Sequence, residues 1–441
     1  MSYSNRVKVH EIEPIYDSAN SRSEFRFQPN KIYSTNVLLA HLGIMTGTTA
    51  SKFNRLVGSS AQLENCMLLD GNTELQMTRS ASKYIGWKML RKSNANLRCV
   101  QPLVTGNEAG FKYDHVDKRA TIAGGKIFGK AIDRQDMPDG DQNLSGAGGV
   151  GSKTHIPCNT FLPILDAMPY LDTSVFKNLR LVVEYEMGGV VSQNQDQSQT
   201  TQRPLLIVEE IIDEAQVASM KGKMGSLSYN NVETDRHLVP AVVPTVNDSS
   251  NEQPISFHLN GFNNKKVGQC FMWKQSQSSA NTGAGGNDYQ NGGFDSTGLY
   301  KESTQIRVNG VNLFAKSGID KDNKRLARCV DSWGSGSMPT FGHGIGYKCV
   351  DANDRSSDGG VPNSQIGFQD FFGCDLGGTM VNDLQIDFKR TGVFCKLAGG
   401  DGGTAGTAAS KYNSPYKLIF FAITQKAIVM DGKGGYDVKY V

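Results

Sequence analysis

The sequence predicts an all-β protein made of two tandem β-sandwich domains with a few short helices. Three observations support this prediction: the length, the spacing of the apolar runs and a strand pattern that occurs in both halves. The chain has 441 residues, which is too long for one ordinary domain and fits two of roughly 200 residues each. Most apolar runs span about 4–8 residues and end near Gly, Asn, Asp or Pro, as strands do. The 49 glycines lie mainly between these runs and indicate many loops and tight turns.

One strand pattern occurs once in each half of the chain. Residues 178–184 and 383–389 are strand-like runs that each lead into a loop rich in Gly, Ser or Gln. Each loop is followed by an apolar strand, at 205–208 in the first half and at 418–423 in the second. Two copies of one β-unit without a catalytic constellation indicate a duplicated building block and not an enzyme.

Two dipeptides predict tight hairpins. Asp70-Gly71 and Asn309-Gly310 are each flanked by apolar residues. Both dipeptides favour type I′ turns, because the two central residues of that turn need positive φ.

The remaining predicted elements are short strands, short helices and long loops of low complexity, the last being typical of functional or disordered segments. The strands are 37–42, 126–132, 255–259 and 267–273. The helices are 82–91, 161–171 (interrupted by two prolines) and 211–220. The loops are 136–153, 188–203, 276–298, 351–363 and 397–414.

The predicted organisation has three parts. They are an N-terminal tail over residues 1–22, a first domain over 23–220 and a second domain over 221–441. The junction falls near 214–230, where Lys, Gly and Ser at 221–226 are typical of a connector. The tail carries mixed charge, so a solvated tail and a tail ordered by a partner are both consistent with its sequence.

Charge and hydropathy argue against several classes of protein. The net charge is +3, from 46 basic and 43 acidic residues, which gives no electrostatic case for wrapping nucleic acid. No apolar run approaches the roughly 20 residues of a membrane-spanning helix. The first residues lack the apolar segment of a secretory signal, so we expect no such signal.

The cysteines fit neither a zinc site nor a redox motif. Cys-x-x-Cys does not occur, and the two nearest cysteines are Cys329 and Cys349. In a long chain without a visible signal peptide, buried reduced thiols are the expectation. The eight cysteines are Cys66, Cys99, Cys158, Cys270, Cys329, Cys349, Cys374 and Cys395.

The motifs that could carry chemistry fail in spacing or in context. Residues 146–154 resemble a P-loop, but Ser152 separates Gly151 from Lys153 and a loop precedes the motif where a strand is required. Residues 332–337 have the wrong spacing for a nucleophile elbow. The histidines contain no His-x-His or His-x-x-x-His pair, so they give no support for a metal site. They are His10, His41, His115, His155, His237, His258 and His343.

Two carboxylate pairs are considered as a glycosidase pair and set aside. Glu209 and Glu210 would point to opposite faces of a strand and could not flank one bond. Asp139 and Asp141 lie in a loop on either side of a glycine. Three tryptophans, at 87, 273 and 333, are more typical of core or interface anchors than of a sugar groove. No catalytic, metal-binding or cofactor-binding residue is predicted, and no cofactor.

The order of several segments resembles that of double jelly-roll major capsid proteins, nearest to those of polinton-like viruses, virophages and adintoviruses. In the first half the similar segments are residues 53–58, 68–75 and 82–88. Residues 176–186 resemble a late strand of the first jelly roll, and residues 382–388 resemble its counterpart in the second. No single motif is specific, and the resemblance rests on the order of the motifs along the chain.

The resemblance implies a concrete architecture and function. Each half would be an eight-stranded jelly-roll β-sandwich. The chain would form a homotrimer with a pseudo-hexagonal outline that contacts neighbouring capsomers, a penton protein and minor capsid proteins in an icosahedral virion around double-stranded DNA. The loops at 188–203 and 391–416 would face outwards or contact neighbouring subunits. The N-terminal tail could contact an internal membrane or the genome.

Two other functions compete with this interpretation. One is a carbohydrate-binding or adhesive β-sandwich protein, against which the absence of a visible signal peptide argues. The other is a glycoside hydrolase of sandwich fold, for which the sequence offers only the carboxylate pairs discussed above.

Overall fold

The computed structural model describes residues 6–18, 21–40, 44–45, 60, 63–91, 155–185, 197–198, 204–239, 252–276, 303–314, 318, 371–391, 416–432 and 434–441. Contacts group the chain into two compact units. The first unit comprises Met1–Met89, Asn94–Val232 and Thr424–Val441, and the second comprises Leu90–Ser93 and Glu233–Ile423. The domain boundaries proposed from the sequence stay a prediction about where the two copies begin and end.

Thirteen strands precede residue 221 in the described chain, together with three α-helices and one short 3-10 turn. The strands are β1 (Val7–Ile12), β2 (Tyr16–Ser18), β3 (Arg22–Arg26), β4 (Ile32–Tyr33), β5 (Leu38–Ala40), β6 (Ile44–Met45), β7 (Leu63–Asp70), β8 (Thr73–Arg79), β9 (His155–Pro157), β10 (Leu171–Asp172), β11 (Leu179–Tyr185), β12 (Gln197–Ser198) and β13 (Leu205–Ile211). The helices are α1 (Ala81–Arg91), α2 (Ile164–Ala167) and α3 (Glu214–Met220), and the 3-10 turn is Cys158–Thr160.

Nine strands follow in the described chain after residue 221, with one further 3-10 turn at Asn260–Phe262. They are β14 (Leu227–Val239), β15 (Glu252–His258), β16 (Lys265–Ser276), β17 (Ser303–Val308), β18 (Val311–Asn312), β19 (Phe371–Val381), β20 (Leu384–Thr391), β21 (Tyr416–Met430) and β22 (Tyr436–Tyr440).

The strand order of the first unit is that of a jelly roll. In one sheet β13 pairs with β1 on one side and with β4 and β5 on the other. In the same sheet β10 pairs with β4, and β9 pairs with β5. If β4 and β5 are counted as one interrupted strand, and β9 and β10 as another, the strand order across this sheet is first, eighth, third, sixth. The other sheet runs β3-β11-β7-β8, which is second, seventh, fourth, fifth, with β2 added at its edge.

The second unit repeats this order without the interruptions. One sheet runs β14-β21-β16-β19 and the other runs β15-β20-β17-β18. In sequence order these are again first, eighth, third, sixth and second, seventh, fourth, fifth. The described chain is therefore two tandem jelly rolls with few helices, which confirms the predicted fold class.

Each sandwich is closed by apolar side chains from both of its sheets. In the first unit Phe25 and Val183 come from one sheet, and Leu39 and Val208 come from the other, and all four are fully buried. In the second unit the rings of Phe257 and Phe420 lie 5.8 Å apart and join the two sheets.

The repeated strand pattern corresponds to equivalent strands. The runs predicted at 178–184 and 383–389 form β11 and β20, each the seventh strand of its roll. The apolar runs at 205–208 and 418–423 lie in β13 and β21, each the eighth strand. The duplication inferred from the sequence is thus visible as one topology used twice.

The two predicted hairpins have different turns. Asn309 and Gly310 have φ of 51° and 82°, so this turn is type I′, as predicted. In the other hairpin Asp70 pairs with Thr73, so the central residues are Gly71 and Asn72, one position later than predicted. Only Gly71, with φ of 59°, has positive φ, which is the pattern of type II′.

A hydrogen bond explains this shift. The Asp70 carboxylate accepts the backbone N–H of Asn178 at 2.7 Å, which holds Asp70 in β7 and keeps it out of the turn. A register shift between Leu68 and Leu69 accompanies it in the pairing of β7 with β8.

The predicted helices exist but differ in length. The helix at 82–91 is confirmed as α1. The helix at 161–171 shrinks to the four residues of α2, because a proline lies at its start and another follows its end. The helix at 211–220 begins only at Glu214, where the Asp213 side chain caps it by accepting the N–H of Gln216.

Several predicted segments lie wholly or largely outside the described residues. The predicted strands at 37–42, 255–259 and 267–273 overlap β5, β15 and β16. The predicted segments outside the described residues are the strand at 126–132 and the loops at 136–153, 351–363 and 397–414, together with most of the loops at 188–203 and 276–298.

The N-terminal segment contributes a strand to the first jelly roll. Val7–Ile12, which the sequence analysis assigned to a tail, forms β1 and pairs antiparallel with β13 over six residues. This segment lies in the sheet because β1 is the first strand of the roll and pairs with the eighth. That partner strand lies about 200 residues later in the chain. Short-range pattern could not indicate such a partner.

The turn at Gly71 gives a test of the fold. A Cβ on Gly71 would meet nothing within 4 Å, so Gly71→Ala adds backbone strain alone. We expect it to lower the free energy of unfolding of the first unit by about 1 kcal/mol, measured by denaturant titration. Gly225→Ala is the control, since its site is also open but its φ is not positive, and it should leave stability unchanged or slightly raised. Equal losses in both variants would contradict the assigned turn.

Candidate functional site

The described residues form no cluster of metal-binding side chains. No group of three or more His, Cys, Asp or Glu side chains that could hold a metal ion occurs among the described residues. Within the same residues, no helix is both long and apolar enough to cross a membrane. The P-loop-like segment 146–154, the segment 332–337 and the pair Asp139 and Asp141 lie outside the described residues.

The described histidines make different structural contacts. His10 contacts Glu210 in the first unit. The half-buried His237 packs against the rings of Phe257 and Phe420 in the second unit, with ring centroids 4.7 and 5.7 Å apart. His258 forms an exposed pair with Asp383 at 3.3 Å. The fourth is His155 in β9, whereas His41, His115 and His343 lie outside the described residues.

The carboxylates of Glu209 and Glu210 point to opposite faces of β13, as predicted. Glu210 is 7% exposed and faces inwards, whereas Glu209 faces outwards and accepts a hydrogen bond from Asn36 at 3.1 Å. The two groups therefore cannot flank one glycosidic bond. Of the tryptophans, Trp87 lies in α1 and Trp273 in β16, and Trp333 lies outside the described residues.

Glu210 is the centre of a charged network that joins three segments of the first unit. Its Oε2 lies 2.6 Å from Nε2 of His10 in β1, and its Oε1 accepts a hydrogen bond from Nζ of Lys31 at 2.6 Å. Burial alone would raise the pKa of Glu210, but the hydrogen bonds and charges of Lys31 and His10 outweigh it, so the pKa is lowered. The same carboxylate and burial raise the pKa of nearby Tyr33 to about 12, with burial the larger cause.

A second charged network crosses the other sheet of the same unit. Glu24 in β3 accepts a hydrogen bond from Nη1 of Arg180 in β11 at 2.6 Å and another from Nη2 of Arg22 at 3.2 Å. Arg180 also donates to the carbonyl oxygen of Gly71 at 2.6 Å. Neighbouring strands and the β7–β8 turn are thereby held in register.

The last residues of the chain complete the first unit. The hydroxyl of Tyr436 donates to Asp70 at 2.7 Å, and its ring meets the buried ring of Phe176 edge-on at 5.1 Å. Burial first, and then the Asp70 carboxylate, raise the pKa of Tyr436. Lys426 lies 3.5 Å from Glu74. These contacts therefore tie residues near the C-terminus to the first unit.

The outer face of the β1–β13 sheet is more apolar than a solvated face normally is. Along β13 burial alternates, and the outward positions hold Leu205, Ile207 and Ile211 beside Glu209. On β1 the outward Val9 is 61% exposed and pairs with Glu209. An antiparallel sheet with one face in water usually places polar residues there, so this face has the composition of a contact surface.

Sequence reasoning missed the structural contacts of Glu210 and Tyr436. For Glu210 a signal existed, because the alternation of β13 places its side chain on the same face as Leu206 and Val208. An acidic residue at an inward position of a strand needs a partner. For Tyr436 no local signal existed, since its partners Asp70 and Phe176 lie hundreds of residues earlier.

Comparisons with known proteins confirm the fold. No family model matches the sequence, and no curated protein is detectably similar to it. Among solved structures, the mavirus major capsid protein superimposes with a TM-score of 0.55 at 10% identity, over 100% of this chain and 90% of that one. The Sputnik virophage cryo-EM structure gives 0.53 at 9% identity, over 99% and 88%. PBCV-1 VP54, fitted into a Sputnik reconstruction, gives 0.52 at 11% identity, over 99% and 97%.

These similarities extend over nearly the whole chain and establish a double jelly-roll fold. The strand orders of the two units, described above, lead to the same conclusion from the hydrogen-bonded pairs alone. At such low identity the likeness defines the fold and leaves the function to be argued from it.

The Glu210 network gives a pH-dependent test. Because the folded-state pKa of Glu210 lies below its ordinary value of 4.5, its ionised form stabilises the first unit above that pH, and this stability is lost as pH falls through the folded pKa. We expect Glu210→Gln to destabilise the unit by about 1–3 kcal/mol at pH 7, with wild type and variant converging in acid. Glu209→Gln, which leaves the network intact, is the control. A constant gap across pH in denaturant titrations would contradict the account.

The Tyr436 contact gives a second test. Tyr436→Phe keeps the ring against Phe176 and removes the hydrogen bond to Asp70, so it should cost about 1 kcal/mol of unfolding free energy. Tyr16→Phe is the matched control, because Tyr16 is 54% exposed in the same unit, and it should cost nearly nothing. Denaturant unfolding of the first unit measures both. Equal stabilities of the two variants would show that the hydrogen bond from Tyr436 to Asp70 does not stabilise this unit.

Proposed function

We propose that this chain is a viral major capsid protein and not an enzyme. It assembles as homotrimers with a pseudo-hexagonal outline, and these tile an icosahedral shell around double-stranded DNA in the virion. The observation that carries the proposal is the use of one jelly-roll topology twice in one chain. The named similar structures support it, since the mavirus protein is a major capsid protein.

The physical reason for a duplicated roll is symmetry. Three copies of a chain with two similar columns present six columns, so threefold symmetry gives a nearly sixfold outline. Closed threefold rings require contacts between unlike surfaces of neighbouring copies. Permanent interfaces of this kind typically bury about 2,000–5,000 Å² or more. A chain with this role must therefore carry apolar surface that a solitary sandwich would not need.

The outer face of the β1–β13 sheet meets this requirement. Its outward positions on β13 are mostly apolar, and Val9 on β1 is the most exposed apolar side chain of that face. We assign this face to contact with a second copy of the chain. Charged Glu11 and Glu209 lie beside the apolar positions, as charges do near the rim of an interface.

The other partners belong to the same proposal. They are neighbouring capsomers, a penton protein at the five-fold vertices and minor capsid proteins. Contact of the N-terminus with an internal membrane or the genome stays a prediction and, because Val7–Ile12 is a strand, concerns the residues before it.

The test is the solution mass together with negative-stain imaging of the purified chain. Light scattering should give three times the 48.0 kDa of one chain, and images should show particles of hexagonal outline. A monodisperse monomer across salt and pH would contradict the proposal.

A pair of variants tests the assigned contact face. Val9→Lys places a charge on an already exposed position, so the fold should survive while the trimer dissociates. Val311→Lys is the control, since Val311 is 66% exposed on β18 of the second unit. If both variants remain trimeric, the assignment of this face to the contact is wrong. The proposal that the chain forms a trimer is then unaffected.

A further inference from the structure

Two buried cysteines of the second unit lie directly opposite each other on neighbouring strands. Cys270 in β16 and Cys374 in β19 are partners in the antiparallel register. They are 2% and 7% exposed, and both are reduced in the structure. The two residues are far apart in sequence, so only the strand pairing brings them together.

The register gives the geometry that a disulfide needs. Residues directly opposite in an antiparallel pair point to the same face, with Cα atoms about 4.5–5.5 Å and Cβ atoms about 4.5–5.5 Å apart. Disulfides span Cα distances of about 4.4–6.8 Å and Cβ distances of about 3.5–4.5 Å. A small inward movement of one strand therefore suffices to join the two sulfur atoms.

The position of β19 supplies that movement. In the described chain β19 is the edge strand of its sheet, with β16 as its neighbour. It is rich in glycine: Gly373 lies opposite Phe271, and Gly377 and Gly378 both have positive φ. The register also shifts between Val267 and Gln269. An edge strand with glycines and an irregular ladder opens locally more readily than a central strand, and such opening is the route by which we expect an oxidant to reach the two thiols.

The thiols of the first unit provide a contrast. Cys66 lies opposite Val183 and Thr78 in its sheet, so it has no cysteine as its strand partner. Burial, and then the neighbouring Cys158, raise the pKa of Cys66, and burial raises that of Cys158.

We propose that Cys270 and Cys374 are a redox pair that forms an intramolecular disulfide when the folded protein meets a low-molecular-weight disulfide such as oxidised glutathione. One cysteine loses its proton and attacks the oxidant, forming a mixed disulfide and releasing one glutathione thiolate. The second cysteine then loses its proton and attacks the mixed disulfide, releasing the second. Two cysteine thiols are oxidised to one disulfide, and one oxidised glutathione is reduced to two thiols.

The bond would fix an edge strand of the second unit. It would tie β19 to β16 across the long connection that separates them, and closing a long loop stabilises a fold by restricting its unfolded state. The inference is independent of the proposed function, since it follows from the register of two strands.

The experiment uses the intact, purified chain. The folded protein is incubated with oxidised glutathione, remaining thiols are alkylated, and the digest is mapped by mass spectrometry without reduction. We expect a cross-linked peptide pair that joins Cys270 to Cys374, reversed by a reducing agent. The oxidised protein should also show a higher unfolding temperature for the second unit.

Two variants make the result specific. Cys270→Val should lose both the cross-link and the rise in unfolding temperature on oxidation. Cys66→Val is the matched control and should retain both. The proposal is overturned if folded wild-type protein keeps Cys270 and Cys374 alkylatable, leaves either as a stable mixed disulfide with glutathione, or links either to another cysteine. The wild-type mapping decides the matter even if a valine variant fails to fold.

Discussion

The insertion of the last strand between the first and the third is the constraint on which both units depend. In the first unit β13 pairs with β1 on one side and with β4 and β5 on the other. In the second, β21 lies between β14 and β16. These strands are the eighth of their rolls, so each sheet is completed only by the last part of its sequence. Long-range pairing of this kind makes the sandwich slow to form and cooperative once formed.

The eighth strands of the two rolls, β13 and β21, differ in how their side chains are buried. Burial alternates along β13, whose inward positions are apolar apart from Glu210. In β21 the five residues from Leu418 to Ala422 are all fully buried. A strand buried on both faces has a continuous apolar sequence, whereas a strand with one open face alternates. The alternation in β13 also places apolar side chains on its outer face, which is the surface that we propose contacts a second copy of the chain.

Local signals along the sequence were enough for the repeat and for many of the elements, but not for β1 or for the length of α2. The runs at 178–184 and 383–389 indicated equivalent strands before any pairing was known, and Asn309-Gly310 indicated its turn correctly. The fold class followed from the order of segments, through a resemblance in which no single motif is specific. What local pattern could not supply was partnership over long distances. The pairing of β1 with β13 and the contact of Tyr436 with Asp70 depend on residues that lie hundreds of positions apart.

The candidate site shows the same difference between what local pattern predicts and what depends on distant partners. The sequence correctly placed Glu209 and Glu210 on opposite faces, because strand alternation is local. It gave no indication that His10 and Lys31 would meet the inward carboxylate. The contacts of Glu210 with His10 and Lys31, and of Glu24 with Arg180, join separate segments of the first unit.

Hydrogen exchange of the intact chain, read by mass spectrometry at the resolution of single strands, tests the central claim most directly. If the eighth strands hold the two rolls together, the amides of β13 and of residues 418–423 in β21 will be among the slowest to exchange and will open only with their whole unit. Exchange of either strand well before its neighbours β5 or β16 would contradict the account, because it would show that the sheets persist without their last strand.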